Sequence, residues 1–228
     1  MTALKIENLA YAWPGAGGPT LAIDALVLEP GESVFLYGPS GCGKSTLLSA
    51  IAGVVDIAPG AIRVMGQDVG ELKGGTRDRF RADHIGIIFQ MFNLIPWLSA
   101  LENVVLPCTF SARRRDLANM PTAGAAQRLL SELGLAEPAL MAQPSRTLSV
   151  GQQQRVAAAR AMIGGPNLIL ADEPTAALDD DTKTGFVHLL TREARSAGAA
   201  LLFVSHDRSL EGHFDRSVDF RELNAGLR

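Results

Sequence analysis

The chain has 228 residues, of which 47% are hydrophobic and 20% charged, the balance of an ordinary globular protein and not a disordered one, long enough for one large α/β domain with a full core or two small ones. A formal net charge of −3 gives no overall attraction for nucleic acid or an anionic membrane, and no run of about 18 apolar residues is present to cross a bilayer. Met1 to Trp13 lacks the basic-then-apolar plan of a signal peptide, and Cys42 and Cys108 make neither a disulfide framework nor a zinc spacing, so a reducing cytoplasm is expected.

Leu4–Leu9 alternates apolar and polar residues and predicts a half-exposed strand. A Gly/Pro-rich turn over 14–19 leads to a second strand, Leu21–Leu28, and Pro30-Gly31 turns the chain into the apolar run Val34–Tyr37. Directly after it stands Gly38-Pro39-Ser40-Gly41-Cys42-Gly43-Lys44-Ser45-Thr46. This matches the phosphate-binding pattern G-x-x-x-x-G-K-[ST] in its required setting, between a strand and a helix. The glycines let successive backbone N–H groups converge on phosphate without Cβ obstruction. A helix over Lys44–Ala52, stopped by Gly53, adds its positive end. Lys44 then reaches the β- and γ-phosphates, and Ser45 can ligate Mg²⁺. Pro59-Gly60 and Gly66-Gln67 bracket a short strand, Ala61–Met65, which pairs with the N-terminal strands.

Ile85–Phe89 is another buried strand and ends at Gln90. From Met91 to about Ser145 the character changes: helical stretches at Ser99–Val105 and Ala123–Leu133, five prolines and no strong strand predict a helical insertion. Met91–Leu98 is unusually apolar for a loop. It is either the core of that insertion or a docking surface for a membrane partner, with Phe92 and Trp97 as anchors. Arg113-Arg114-Arg115 reads as a solvated helix start, with contact to lipid head groups or a partner as the alternative. Ser149 is a good N-cap for a helix over Gly151–Ile163, whose Val156, Ala159 and Ile163 face the core, and that capped helix end is a second anion site.

Leu168–Ala171 is an apolar strand that delivers Asp172 and Glu173 at its C-terminal end, the ligand edge of an open parallel sheet. Asp172 can hold a Mg²⁺ shell while Glu173 polarises a water toward the γ-phosphate. After a helix over Asp181–Ala197, the strand Ala200–Val204 brings His206 to the same edge, flanked by Ser205 and Asp207, as a γ-phosphate sensor. Continuous apolar strands of this kind predict a parallel sheet covered on both faces.

The order of these elements resembles the ATP-binding cassette (ABC) ATPase family over essentially the whole chain. Residues 38–46 and 172–173 fit its Walker A and Walker B patterns. Leu148-Ser149-Val150-Gly151-Gln152, continued by Gln153-Gln154-Arg155, resembles the signature L-S-G-G-Q. Gln90 corresponds to the Q-loop glutamine, Ala177-Leu178-Asp179 to the D-loop and His206 to the switch histidine. Tyr11 is similar to the aromatic that stacks on adenine, with Trp13 the alternative, and either could be core. The stretch from Gln90 through Leu101-Glu102-Asn103-Val104 to Pro107 is most similar to the branch of lipoprotein-releasing, macrolide-export and cell-division ATPases.

The resemblance implies an α/β fold with a phosphate-loop NTPase (RecA-like) parallel sheet core, an antiparallel β subdomain and an α-helical insertion. Residues 1–228 would form a single nucleotide-binding domain with a helical subdomain at about 91–150. It implies a subunit that hydrolyses ATP, forms a homodimer around two Mg-ATP and powers a separate integral membrane permease from the cytoplasmic face, for export or extraction of lipoprotein-type cargo. The alternative is a non-transport ABC ATPase, of the cell-division type or acting on DNA or the ribosome. In the transport reading no direct nucleic-acid contact is expected. Ser45, Gln90 and Asp172 would hold Mg²⁺, and Glu173, His206 and Gln90 would serve catalysis. Tyr11, the loop residues 38–46, Ser149, Gly151, Gln152 and Asp179 would contact ATP, the signature residues from the opposite copy. Val150 departs from the family's glycine. It costs about 1–3 kcal/mol if the backbone there needs φ > 0, and little if the side chain points away.

Overall fold

The computed structural model describes residues 1–118, 122–178 and 180–224. The chain opens with β1 (Leu4–Tyr11) and β2 (Leu21–Leu28), paired antiparallel with Leu4 opposite Leu28 and Tyr11 opposite Leu21. β3 (Ser33–Tyr37) and α1 (Lys44–Ile51) flank the glycine-rich loop. β4 (Ile62–Val64) and β5 (Gln67–Asp68) complete a four-stranded antiparallel sheet in the order β2-β1-β4-β5. Next come α2 (Gly74–His84) and β6 (Ile85–Ile88), then four helices: α3 (Ala100–Phe110), α4 (Ala112–Leu117), α5 (Thr122–Glu132) and α6 (Pro138–Met141). The chain continues through α7 (Val150–Met162), β7 (Leu168–Asp172), α8 (Asp180–Ser196) and β8 (Ala200–Ser205). A 3-10 segment (Arg208–His213), β9 (Arg216–Asp219) and α9 (Phe220–Leu223) finish it.

The second sheet is parallel, in the order β6-β7-β8-β3-β9. Side chains alternate between faces of a strand, and here both faces are covered. Phe35, Ile169, Ala171, Leu201 and Phe203 pack with the helical side of the molecule. Val34, Leu36, Leu168, Leu170, Leu202 and Val204 pack with α1 and the antiparallel sheet. Double coverage is why these strands read as unbroken apolar runs.

α3 runs on through Pro107 to Phe110, beyond the expected end at Val105. A capping box between Ser99 and Glu102 fixes its start, and Val104 and Cys108 are buried in the helical core. That packing outweighs the backbone hydrogen bond proline cannot make. α2 was not legible because it buries no residue. Phe80 packs against the core only partly buried, and polar contacts add to it, Arg81 donating to the carbonyls of Ala52 and Gly53 and Arg77 pairing with Asp56.

One reading of exposure is corrected, and one open alternative is decided. Arg114 is not solvated but 2% exposed. Its guanidinium donates to Ile85 O at 2.6 Å and to Ala161 O and Ile163 O at 3.3 Å. It thereby satisfies carbonyls at the negative end of α7, and burial pushes its pKa down to about 10. Phe92 is not a surface anchor either. It is buried in the helical core, whereas Met91 and Trp97 are largely exposed. Among the described residues no helix is long and apolar enough to cross a membrane.

Candidate functional site

β3, β7 and β8 run parallel with Tyr37 opposite Ser205 and Asp172 opposite Val204, so their C-terminal ends open on one edge. A cavity of about 470 Å³ lies there. The loop and α1 contribute Ser40, Gly41, Gly43, Lys44, Ser45 and Thr46. Gln90, Asp172, Glu173 and His206 line it from the strand exits, and Trp13 and Thr20 from the first two strands' connection.

The loop needs its glycine at 43. That residue has φ +109°, and a Cβ there would lie 3.2 Å from Thr20 O and 3.4 Å from the Phe220 ring. It precedes α1, whose N-terminus has no side-chain cap, so the first N–H groups of the helix remain available to an anion. Lys44 is 7% exposed, and its ammonium donates to the carbonyls of Gly38 and Pro39, each at 2.8 Å. It also approaches Cys42 Sγ at 3.8 Å. The charge is therefore held inside the curve of the loop.

Asp172 ends β7 beside it. Burial pushes its pKa up, the neighbouring Glu173 charge adds to that, and the Ser45 hydroxyl and Lys44 ammonium pull it back. A carboxylate penalised in this way gains from a bound cation. The donor set in reach is all oxygen, from the Ser45 hydroxyl, the Asp172 carboxylate and the Gln90 amide, which fits a hard ion such as Mg²⁺.

Glu173 sits at φ +45°, a left-handed conformation that a non-glycine residue adopts at a cost of about 1–3 kcal/mol. Its N–H bonds Val204 O at 2.9 Å, which fixes the backbone across to β8. Its Oε2 meets His206 Nδ1 at 2.9 Å and Ser205 Oγ at 3.3 Å. The structure thus brings the phosphate loop, Gln90, both acids and His206 to one cavity.

Trp13, not Tyr11, lines that cavity. Tyr11 packs against the core, with its ring edge-on to Trp13 at 5.4 Å, while the Trp13 indole N–H donates to Thr46 Oγ1 at 3.3 Å. Ser149, Gly151 and Gln152 stand outside it. Ser149 Oγ accepts from Gln152 N and Gln152 Oε1 from Ser149 N, a reciprocal cap on α7. Val150 is the first residue of that helix and half exposed. It has no positive φ, so the strained alternative for it does not apply. Asp179 lies outside the described residues.

Sequence reasoning missed two polar ties from α7 to the site. The buried Gln154 donates to Pro174 O at 2.6 Å, bracing the turn after the acid pair. Arg160 donates to Phe92 O at 2.5 Å and Asn93 O at 2.6 Å, where both acceptor residues have positive φ in the loop after Gln90. A lone arginine in the alanine-rich run 157–161 was the available signal.

A family profile described as ABC transporter matches residues 23–176. The lipoprotein-releasing system ATP-binding protein LolD of Maricaulis maris is 43% identical over 207 residues, covering 90% of this chain and 86% of its own. Among solved structures, the dimeric ABC transporter cassette MJ0796 superposes with a TM-score of 0.81 at 34% identity, over 95% of this chain and 93% of that one. The same cassette in a dimeric post-hydrolysis state bound to ADP and phosphate gives 0.79 at 33% identity, with the same coverage.

Proposed function

The chain belongs to the ABC transporter family and is an ATPase, and on that footing we propose how its residues divide the work. The observation that carries the proposal is the convergence of the phosphate loop, Asp172 and Glu173 on one cavity. Lys44 and the free N–H groups of α1 bind the β- and γ-phosphates. Ser45, Asp172 and Gln90 hold Mg²⁺, which would neutralise charge on the phosphate oxygens. Glu173 orients a water and takes its proton, and His206 holds the γ-phosphate. Trp13 stacks on the base, and Tyr11 supports the indole from behind.

Residues 1–228 act as one nucleotide-binding domain, with the helical segment at about 91–150 as its signature-bearing part. Ser149, Gly151 and Gln152 do not line their own cavity, so they complete the cavity of a second copy in a homodimer around two Mg-ATP. A Cβ at Gly151 would make only an ordinary contact, 3.8 Å from Leu178. The glycine is not required by this chain's own packing, which suits an approach from outside.

The energy of that cycle goes to a membrane permease. A groove of about 590 Å³ runs between α2, β6 and α3, with the partly exposed Phe89 and the well exposed Phe110 in its wall. Arg160 and Asn93 share it, and through their mutual hydrogen bond its occupant can move the loop after Gln90. The LolD-like sequence supports a lipoprotein-type cargo and a place on the inner face of the membrane. Glu173→Gln tests the chemistry. Turnover should fall by about 100-fold or more, and an ATP-bound dimer should accumulate. A wild-type rate would remove Glu173 from its role.

A further inference from the structure

Ser205 ends β8, is 1% exposed, and has no part in the division of work above. A serine hydroxyl has one proton to donate and lone pairs that accept. The acceptor side is used by the Asp207 N–H, at 3.1 Å. The proton has Glu173 Oε2 as its acceptor, at 3.3 Å. His206 meets that same oxygen at 2.9 Å, so Oε2 is engaged twice. Among the described residues nothing bonds Oε1.

The amide that orients Ser205 is itself anchored. Asp207 Oδ1 accepts from the N–H and hydroxyl of Ser209, and Oδ2 pairs with Lys183 of α8 at 3.0 Å. A bond from Ser205 to the amide two residues on would, by itself, be a local turn. The second bond, to a carboxylate held at φ +45°, has no folding role of that kind. Together with His206, it holds the Glu173 carboxylate by one oxygen.

We infer that Ser205 is a positioning residue for ATP hydrolysis: its buried hydroxyl pins Glu173 Oε2 so that Oε1 faces the attacking water. The inference rests on Glu173 being the group that takes the proton. In the step itself, the water proton passes to Oε1 as the water oxygen bonds the γ-phosphorus. The bond from that phosphorus to the leaving ADP oxygen breaks, and Ser205 keeps its own proton throughout.

Steady-state ATPase assays on the full chain test this with Ser205→Ala, Ser205→Cys, Ser205→Thr and Glu173→Gln side by side. Losing one hydrogen bond to a charged group should lower kcat about tenfold in the Ala and Cys variants. The KM for ATP should stay within about twofold, because the bond matters for the water and not for binding. Ser205→Thr keeps the hydroxyl and should restore kcat. The Cys variant keeps the volume, so it reports on the hydroxyl even if Ser205→Ala does not fold. Wild-type kcat in Ser205→Cys, or a raised KM at unchanged kcat, overturns the inference. If Glu173→Gln falls as expected while the Ser205 variants do not, only the Ser205 role is lost. If Glu173→Gln keeps the wild-type rate, the underlying reading of Glu173 fails instead.

Discussion

Trp13 and Tyr11 stand two residues apart and have opposite environments, one in the cavity wall and one against the core. Trp13→Ala should raise the KM for ATP by about tenfold with little change in kcat, the worth of one base stacked on an aromatic ring. Tyr11→Phe should change neither. An ATP titration that gives Trp13→Ala a wild-type KM would contradict the assignment. The sequence could not choose between the two rings, since the choice depends on how the 14–19 turn folds over the loop. The positions of Asp172, Glu173 and His206 were legible because each follows an apolar run whose end can be read. Val150 was undecidable until its backbone was seen. In a helical first turn it needs no glycine, so Val150→Gly should leave turnover unchanged and cost less than about 1 kcal/mol of stability. A rise in turnover after that change would show that the valine slows hydrolysis.

At the scale of elements, the strands β3, β6, β7 and β8 of the parallel sheet and the helices α1, α5, α7 and α8 could be read from period and caps. α2, β5, α6, β9 and α9 could not, and of α4 only the start. They are short or carry no apolar stripe, and contacts distant in sequence hold them. α4 shows why. A run of three arginines gives no sign of which one turns inward, because the carbonyls that receive it come from β6 and the end of α7. Arg114→Met should destabilise the protein by about 2–4 kcal/mol, because buried carbonyls lose their donor. Arg128→Ala removes only an exposed pair with Glu132 and should cost less than about 1 kcal/mol. Urea denaturation of the two variants measures the contrast. Equal midpoints would mean that Arg114 does not hold α4 to the sheet.

For the whole molecule, the fold class was legible because the order of strands, loop and acids leaves few topologies open. The signature helix was legible as a helix too, through its cap at Ser149. Where that cap points was not, since it concerns the surface of this chain and not its core. The structure leaves Ser149, Gly151 and Gln152 apart from the cavity formed by their own chain. The proposed hydrolysis therefore depends on two copies that exchange these residues. Lys44→Ala disables the phosphate loop of its own copy, and Ser149→Arg blocks the signature that copy offers. Each variant alone should be inactive. Mixed together, they can form a pair in which an intact loop faces an intact signature. The ATPase rate of that mixture is the deciding measurement: turnover well above that of either variant alone is predicted, and a mixture no faster than its components would contradict the exchange.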